Sequence, residues 1–215
     1  MKFKIELLSL LICSALFSSA QVSYGVTGGL QQINASVKIK SGPHVDVTPG
    51  YGFHIGAMLK VPFDKQVFFA PQLLYSLKGV TLNLNNALQD SVSRNRLVIH
   101  YIEIPAFLQF DAKADGNGLF FLFGPSVSAA ISGSEKRTFL NGKESTRPMR
   151  FAYTAYGRFE MNLVAKVGYR LQNNWMITGG YSLGLGSIVN DDLAPRIRPR
   201  MITISAGYFF PGKLF

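Results

Sequence analysis

Histidine and cysteine, which often supply the general base and the thiol nucleophile of an enzyme, are scarce in this 215-residue sequence. The histidines are His44, His54 and His100, and Cys13 is the only cysteine. A serine hydrolase needs a base within hydrogen-bond reach of its nucleophile. Ser41 lies close to His44 in sequence, but no recognisable motif joins them. Neither a cluster of histidines nor a glycine-rich phosphate loop with a lysine is present. We therefore expect no catalytic residue, metal ion or cofactor, and an enzyme acting on lipid A or a surface ester is disfavoured.

Charged residues instead occur at regular positions inside otherwise apolar stretches. Glu160, Lys166 and Arg170 alternate with apolar residues along one stretch, and Lys60 and Glu103 occupy comparable positions in two others. Successive side chains of a strand point to opposite faces, so each of these charges lies opposite an apolar face. A charge is costly to bury without a partner. We expect Glu103 and Glu160 to form ion pairs with Lys60, Lys166 or Arg170. The alternative is that these residues merely hydrate a polar interior.

A second group of charges is concentrated in the segment 133–158. Its six basic and two acidic residues give a net charge of +4. The basic patch within this segment comprises Lys136, Arg137, Lys143, Arg147 and Arg150. Arginine binds phosphate groups well, so one interpretation is contact with the phosphates of lipopolysaccharide. The other is a solvated basic loop.

The whole chain is basic, with a formal net charge of +10. Strong basicity can indicate nucleic-acid binding, but the N-terminal residues described next predict an exported protein, which meets little nucleic acid. Anionic lipid head groups are therefore the expected counter-charge.

The first 20 residues predict a cleavable secretory signal peptide. Lysines precede an apolar run at 7–17, and small residues lead to a cleavage site between Ala20 and Gln21. A membrane anchor is disfavoured because that run is shorter than the roughly 20 apolar residues that span a bilayer. Cleavage would leave one domain, 21–215, and would remove Cys13, so no disulfide is expected.

About eight stretches of alternating apolar and polar residues follow the signal. They cover residues 22–31, 51–61, 67–78, 97–110, 119–132, 159–170, 175–185 and 202–210. Membrane-spanning strands need about 9–11 residues, whereas globular strands average about 5–6. Short connections at 63–66, 111–118 and 171–174 alternate with long ones at 33–50, 79–96, 133–158 and 186–199. This pattern predicts an all-β protein, a closed antiparallel eight-stranded transmembrane β-barrel. A soluble β-sandwich is the alternative.

Three prolines, Pro71, Pro105 and Pro125, lie inside predicted strands. Proline cannot donate a hydrogen bond to its neighbouring strand. We therefore expect bulges or local breaks at these positions, and a bulge would exchange the inward and outward faces beyond it.

Aromatic residues are frequent at the strand ends beside the short connections. Barrels that span a membrane carry such residues as a girdle at the interface with water. The residues concerned are Tyr24, Phe69, Phe110, Phe121, Tyr169, Trp175 and Tyr208.

Four short stretches carry a family resemblance. They are 72–79 (QLLYSLKG), 101–105 (YIEIP), 123–125 (FGP) and 180–185 (GYSLGL). With them the chain resembles the outer-membrane β-barrel domain of the porin-family proteins of Gram-negative bacteria. The resemblance implies an eight-stranded barrel that the outer-membrane assembly machinery inserts, and it implies no shared enzymatic activity. Such barrels usually end in an aromatic residue that this machinery recognises. Phe215 fits that role, and Phe210 is the alternative.

These observations predict a small outer-membrane protein with a structural, surface-interaction or narrow-pore role. Its lumen is expected to be filled by polar and charged side chains. The expected partners are outer-membrane lipid, lipopolysaccharide and the assembly machinery. We expect a monomer, because a closed barrel has no free edge to pair.

Overall fold

The computed structural model describes residues 22–38, 46–84, 91–152, 156–189 and 196–212. The predicted cleavage site at Ala20 and Gln21, His44 and the predicted assembly signal Phe215 lie outside these residues. No helix in the described ranges is long and apolar enough to cross a membrane. The strands are β1 (Ser23–Lys38), β2 (Asp46–Thr48), β3 (Gly50–Pro62), β4 (Val67–Asn83), β5 (Val92–Asp111), β6 (Gly118–Phe139), β7 (Glu144–Pro148), β8 (Phe159–Arg170), β9 (Trp175–Gly184) and β10 (Arg196–Phe209).

Eight of these strands close into a ring. The strands β1, β3, β4, β5, β6, β8, β9 and β10 follow one another around it, each antiparallel to its neighbours. The ring closes where β1 pairs with β10, for example at Gly25 and Phe209. Outside the ring, β2 pairs with the end of β4, and β7 folds back on β6 as a hairpin. The predicted closed eight-stranded barrel is therefore confirmed, and the β-sandwich alternative is wrong.

The two faces of the wall differ in polarity, as the alternation predicts. Leu30 is 73% exposed and Ile204 is 66% exposed on the outer face. Gln31, next to Leu30, is buried inside the barrel. On β8, whose bounds match the prediction, Phe159 points outward and Glu160 inward. An apolar outer band around a more polar interior is the arrangement of a barrel in lipid.

Five ring strands extend further toward the long connections than the sequence predicts. β1 and β10 are longer at this end, β4 continues to Asn83, β5 begins at Val92, and β6 reaches Phe139. Apolar side chains such as Val80 and Val92 are buried inside these extensions. The sequence predicts these extensions as parts of long loops. Their buried side chains pack against residues of other strands, which the local pattern does not show. The predicted loop bounds are therefore corrected.

A β-bulge interrupts β6 at Ile131. His100 on β5 pairs with Ser132, and the next residue of β5 pairs with Ala130, so Ile131 has no partner. The extra residue exchanges the two faces of β6 beyond this point. The alternation within 119–132 predicts Ser132 on the inward face with Ser126 and Ser128, but Ser132 is exposed, and Glu135 is buried.

The prolines interrupt strand pairing without shifting it. Between β5 and β6 the pairing stops after Pro105 and resumes at Leu108 in the same register. On β6 this unpaired gap includes Pro125. The pairing of β4 with β5 is likewise interrupted after Pro71 with no shift. The prediction of bulges or local breaks is confirmed, and the interruptions are local breaks without a bulge. Because the register is retained, the inward and outward assignments around the prolines hold.

Candidate functional site

A buried ionic cluster lies in the lumen. Lys78 Nζ is 2.8 Å from Glu160 Oε1 and 3.5 Å from Glu103 Oε2. Each carboxylate accepts a further hydrogen bond, from Ser126 Oγ to Glu103 at 2.8 Å and from Asn162 Nδ2 to Glu160 at 2.7 Å. Two carboxylates thus share one ammonium group, and neutral donors satisfy some of their remaining acceptor capacity.

The two glutamates therefore have a different partner from the predicted one. The sequence suggested Lys60, Lys166 or Arg170, whereas the ion pairs are made by Lys78. Lys78 lies at the end of the predicted strand 67–78, on the same inward face as Gln72. This position is the feature of the sequence that could have identified Lys78 as a lumen residue. The strands of a barrel tilt and stagger, so counting residues along each strand does not show which side chains meet across the lumen.

A second ion pair lies at the end of the barrel where the connections are short. Lys60 contacts Asp111, and Gln109 Nε2 donates to the other carboxylate oxygen of Asp111 at 2.6 Å. The ammonium group of Lys60 also lies 3.8 Å from the centre of the Phe68 ring. The sequence predicts Asp111 in the short connection 111–118, but it is the last residue of β5 and is buried.

The two other predicted lumen bases contact aromatic rings. The Arg170 guanidinium lies 4.6 Å from the centre of the Phe209 ring and donates to Asn174 Oδ1 at 3.2 Å. Lys166 Nζ lies 5.5 Å from the centre of the Phe107 ring. Among the described residues, no carboxylate oxygen lies within 4.0 Å of either base. Both are held by cation–π contacts of the kind that aromatic faces offer to cations.

Apolar side chains fill much of the remaining lumen. One cluster occupies the end toward the short connections and another the end toward the long connections. A cavity of about 20 Å³ beside Glu103 and His54 has room for about one water molecule. The expectation that polar and charged side chains alone fill the lumen is therefore corrected. The first cluster consists of Met58, Ala70, Phe107, Phe120, Leu122, Val164, Met176 and Phe209.

The histidines that the structure describes do not form an accessible catalytic site. His54 Nε2 and Ser205 Oγ are 2.9 Å apart, which is the reach of a base and a nucleophile, but both are buried in the lumen. His100 shares a hydrogen bond with the Tyr75 hydroxyl at 2.6 Å. Ser93, the nearest described serine before His100 on β5, lies seven residues away along the strand. The distance is roughly 23 Å, which is too far for a base and its nucleophile. Among the described residues, no group of His, Cys, Asp and Glu could hold a metal ion.

Beyond the lumen, Glu135 joins the β6–β7 hairpin to the barrel. Arg147 Nε on β7 lies 2.7 Å from Glu135 Oε2, and Arg137 Nε lies 3.0 Å from Oε1. Asn95 Nδ2 on β5 donates to Oε1 at 2.7 Å, and the Tyr156 hydroxyl donates to it at 3.3 Å. Glu135 is only 1% exposed. One carboxylate therefore connects two ring strands, the hairpin and the following loop.

The surroundings of Glu135 set its protonation state. Burial on its own raises the pKa of this carboxyl, but the hydrogen bonds from Arg147, Asn95 and Arg137 outweigh it, so the net pKa is lowered. Burial and the neighbouring carboxylate raise the pKa of Tyr156 to about 12. At neutral pH the carboxylate is thus charged and the phenol protonated, as the hydrogen bond between them requires.

Ion pairs partly neutralise the predicted basic patch of the segment 133–158. Two of its arginines contact Glu135, and Lys136 Nζ lies 2.7 Å from Glu144 Oε2. Lys143 and Arg150 are exposed, and neither makes a salt bridge within the described ranges. The part of the patch that is open to a ligand is therefore smaller than its five residues suggest.

The closed ring of lipid-facing strands agrees with a family match. The model of the outer membrane protein beta-barrel domain matches residues 17–190. The chain belongs to this family. It is an outer-membrane protein of the Gram-negative type, and in such barrels the short turns face the periplasm while the long loops face outward. The β6–β7 hairpin is accordingly on the extracellular side. No curated protein sequence matches the chain.

Solved structures with a similar fold are outer-membrane barrels of low sequence identity. The attachment invasion locus protein Ail of Yersinia pestis, in complex with the heparin analogue sucrose octasulfate, has 15% identity and a TM-score of 0.46, with 88% of this chain and 99% of that chain covered. Neisserial surface protein A has 13% identity and a TM-score of 0.48, with the same coverage. OprG from Pseudomonas aeruginosa has 10% identity and a TM-score of 0.43, with 89% and 97% covered.

Proposed function

We propose that this protein is an occluded, non-conducting barrel without catalytic activity, and that it acts through its outer surface. The supporting observation is the filled lumen. The Lys60–Asp111 pair, an apolar cluster, the Lys78 ion pairs and a second apolar cluster lie inside the barrel. The cavity that remains beside the central charges is about 20 Å³. An eight-stranded barrel is just wide enough for its own side chains to fill it.

Conductance in a planar lipid bilayer tests this proposal. We expect refolded protein to show no steady openings, with heat-dependent migration on a gel and protease protection proving that the barrel is folded and inserted. Steady openings from such protein would contradict occlusion and would support the narrow-pore role instead.

A double variant tests whether the central ionic cluster or the apolar clusters on either side of it close the barrel. Lys78→Ser with Glu160→Ser leaves the net charge unchanged and removes the side chains of the central ion pair. We expect this variant to remain closed, because an apolar cluster lies on either side of the ionic cluster. Openings in the variant and none in the wild type would identify the ionic cluster as the sole barrier.

The exposed part of the basic patch supports a second candidate function, binding of an anionic ligand at the cell surface. Lys143 and Arg150 project from the hairpin region without a salt bridge to any described residue. Phosphate groups on surface sugars would complement them.

Deacylated lipopolysaccharide, a soluble phosphorylated sugar, is the probe for this candidate. The double variant Lys143→Gln/Arg150→Gln should weaken its binding about tenfold. The matched control is Lys65→Gln/Lys113→Gln, which removes the same charge from exposed positions at the short-turn end. Equal binding by both variants would exclude the hairpin region as the binding surface.

A further inference from the structure

Three arginines form a column on the outer wall of β10. Arg196, Arg198 and Arg200 are exposed, while the intervening Ile197 and Pro199 are buried inside the barrel. Alternate residues of a strand are about 7 Å apart, so the column covers about 13 Å of the wall at its extracellular end. Within the described residues, none of the three arginines makes a salt bridge. They form a fixed row of positive charge that no described acidic side chain neutralises.

The same outward face becomes apolar immediately below the column. Ile202 and Ile204 follow Arg200 at the next outward positions of β10 and are more than half exposed. They line a groove of about 660 Å³ with Leu30 and Gly28 of β1. Gly28 pairs with another small residue, Ala206. The surface of the wall is therefore indented at this pair, whereas the neighbouring outward positions carry large side chains.

A second groove lies beside the arginines. It has a volume of about 410 Å³ and is lined by all three arginines together with Leu183 and Leu185 of the β9 side. Leu183 pairs with Arg200, so this groove adjoins the upper end of the apolar one. Positive charge and apolar surface are therefore combined at one place on the wall, where the outward face of β10 changes from apolar to basic side chains.

Another basic groove adjoins the apolar one on the β3 side, since Tyr51 lines both. It has a volume of about 520 Å³ and is lined by Arg94, Arg96 and Lys136, but it also contains the carboxylate of Glu144. That acid already pairs with Lys136. An anionic ligand would meet a like charge here, so Arg94 and Arg96 provide a comparison of equal charge on a different strand, β5.

We propose that the β1–β9–β10 face binds a phosphorylated, multiply acylated glycolipid of the outer leaflet, a molecule of the lipid A type. Its phosphates contact Arg198 and Arg200, since guanidinium groups form paired hydrogen bonds with phosphate oxygens. One acyl chain lies in the groove over Gly28, between Leu30 and Ile204. This site is separate from the hairpin region and does not depend on whether the barrel conducts.

Titration of the refolded barrel in detergent micelles with purified lipid A tests the site, with the bound lipid counted by native mass spectrometry. Arg198→Gln/Arg200→Gln should weaken binding at least about tenfold, and Arg94→Gln/Arg96→Gln should change it by less than about twofold. All four arginines are exposed, so both variants should fold, which heat-dependent gel migration verifies. An equal effect of the two variants, or none in either, would overturn the proposal.

The acyl chain requires a separate measurement. Deacylated lipid A and inorganic phosphate should each bind far more weakly than lipid A, and equally to the wild type and to Gly28→Leu. A Cβ at position 28 would meet its nearest atom at 3.4 Å, an ordinary contact, so the leucine should fill the groove without disturbing the strand. We expect it to weaken lipid A binding about tenfold. If deacylated lipid A bound as tightly as lipid A, the ligand would be a free phosphosugar and the glycolipid assignment would be wrong.

Discussion

Lys78 Nζ and Glu160 Oε1 are 2.8 Å apart, although Lys78 lies on β4 and Glu160 on β8, three strands further around the ring. Their contact therefore bridges the lumen. Glu103 on β5, adjacent to β4, completes the cluster from the same side as Lys78. Such a bridge connects strands that share no backbone hydrogen bonds.

Replacing Lys78 by methionine should destabilise the barrel. The change leaves two buried glutamates without their common ammonium group, and breaking a buried ion pair from one side costs about 3–5 kcal/mol. The control is Lys136→Met, which breaks an ion pair whose side chains are 45% and 52% exposed, and such pairs contribute about 0–1 kcal/mol. Urea unfolding of the refolded barrel in micelles measures both. Equal unfolding free energies would show that the lumen cluster does not stabilise the fold.

Replacing Glu135 by glutamine should loosen the β6–β7 hairpin without unfolding the barrel. The change removes the charge that Arg147 and Arg137 share, and hydrogen bonds to a charged group contribute about 1.5–3 kcal/mol. Hydrogen exchange of the β7 amides should accelerate about tenfold or more. Glu144→Gln, which affects only an exposed ion pair of the same hairpin, serves as the control. Unchanged exchange in Glu135→Gln would show that the strand pairing alone holds β7 in place.

The hairpin contact should also weaken in acid. The pKa of Glu135 is lowered from its ordinary value of 4.5 in the folded protein. A lowered pKa means that the carboxylate stabilises the contact fully above about pH 4.5 and that this contribution is lost as the pH falls through the folded pKa. Exchange of the β7 amides, corrected for the intrinsic effect of pH, should therefore rise below pH 4.5 in the wild type. The Glu135→Gln variant should lack this dependence, and an identical rise in both would assign it to other groups.

Two glycines on neighbouring strands should differ in how well they tolerate alanine. A methyl group at Gly56 would overlap the backbone carbonyl oxygen of Leu73, whereas one at Gly28 would meet its nearest atom at 3.4 Å. Forcing an additional methyl group into a packed position costs about 1–3 kcal/mol. Gly56→Ala should lower the unfolding free energy by this amount, and Gly28→Ala should leave it nearly unchanged. Urea unfolding checks both, and a stable Gly56→Ala barrel would show that β3 and β4 can separate locally.

Much of the barrel could be predicted from the local sequence pattern. Period-two alternation depends only on the geometry of one strand, so it identified the lipid-facing side of β8 from Phe159 to Tyr169 and the inward position of Glu160. The spacing of short and long connections predicted the number of ring strands. The extended ends of β4 and β5 lie outside the predicted strands, because Val80 and Val92 bury their side chains against partners on other strands rather than against lipid.

The candidate site depended more on tertiary contacts. Residue types and alternation alone identified the inward charges Glu103, Glu160 and Lys60, since each lies opposite an apolar face. The choice of Lys78 as the common partner of the two glutamates came only with the folded barrel, because strand tilt and stagger determine which side chains meet across the lumen. The inward position of Glu135 likewise follows from the extra residue at Ile131, which reverses the faces of β6 and arises from pairing with β5 rather than from any local signal.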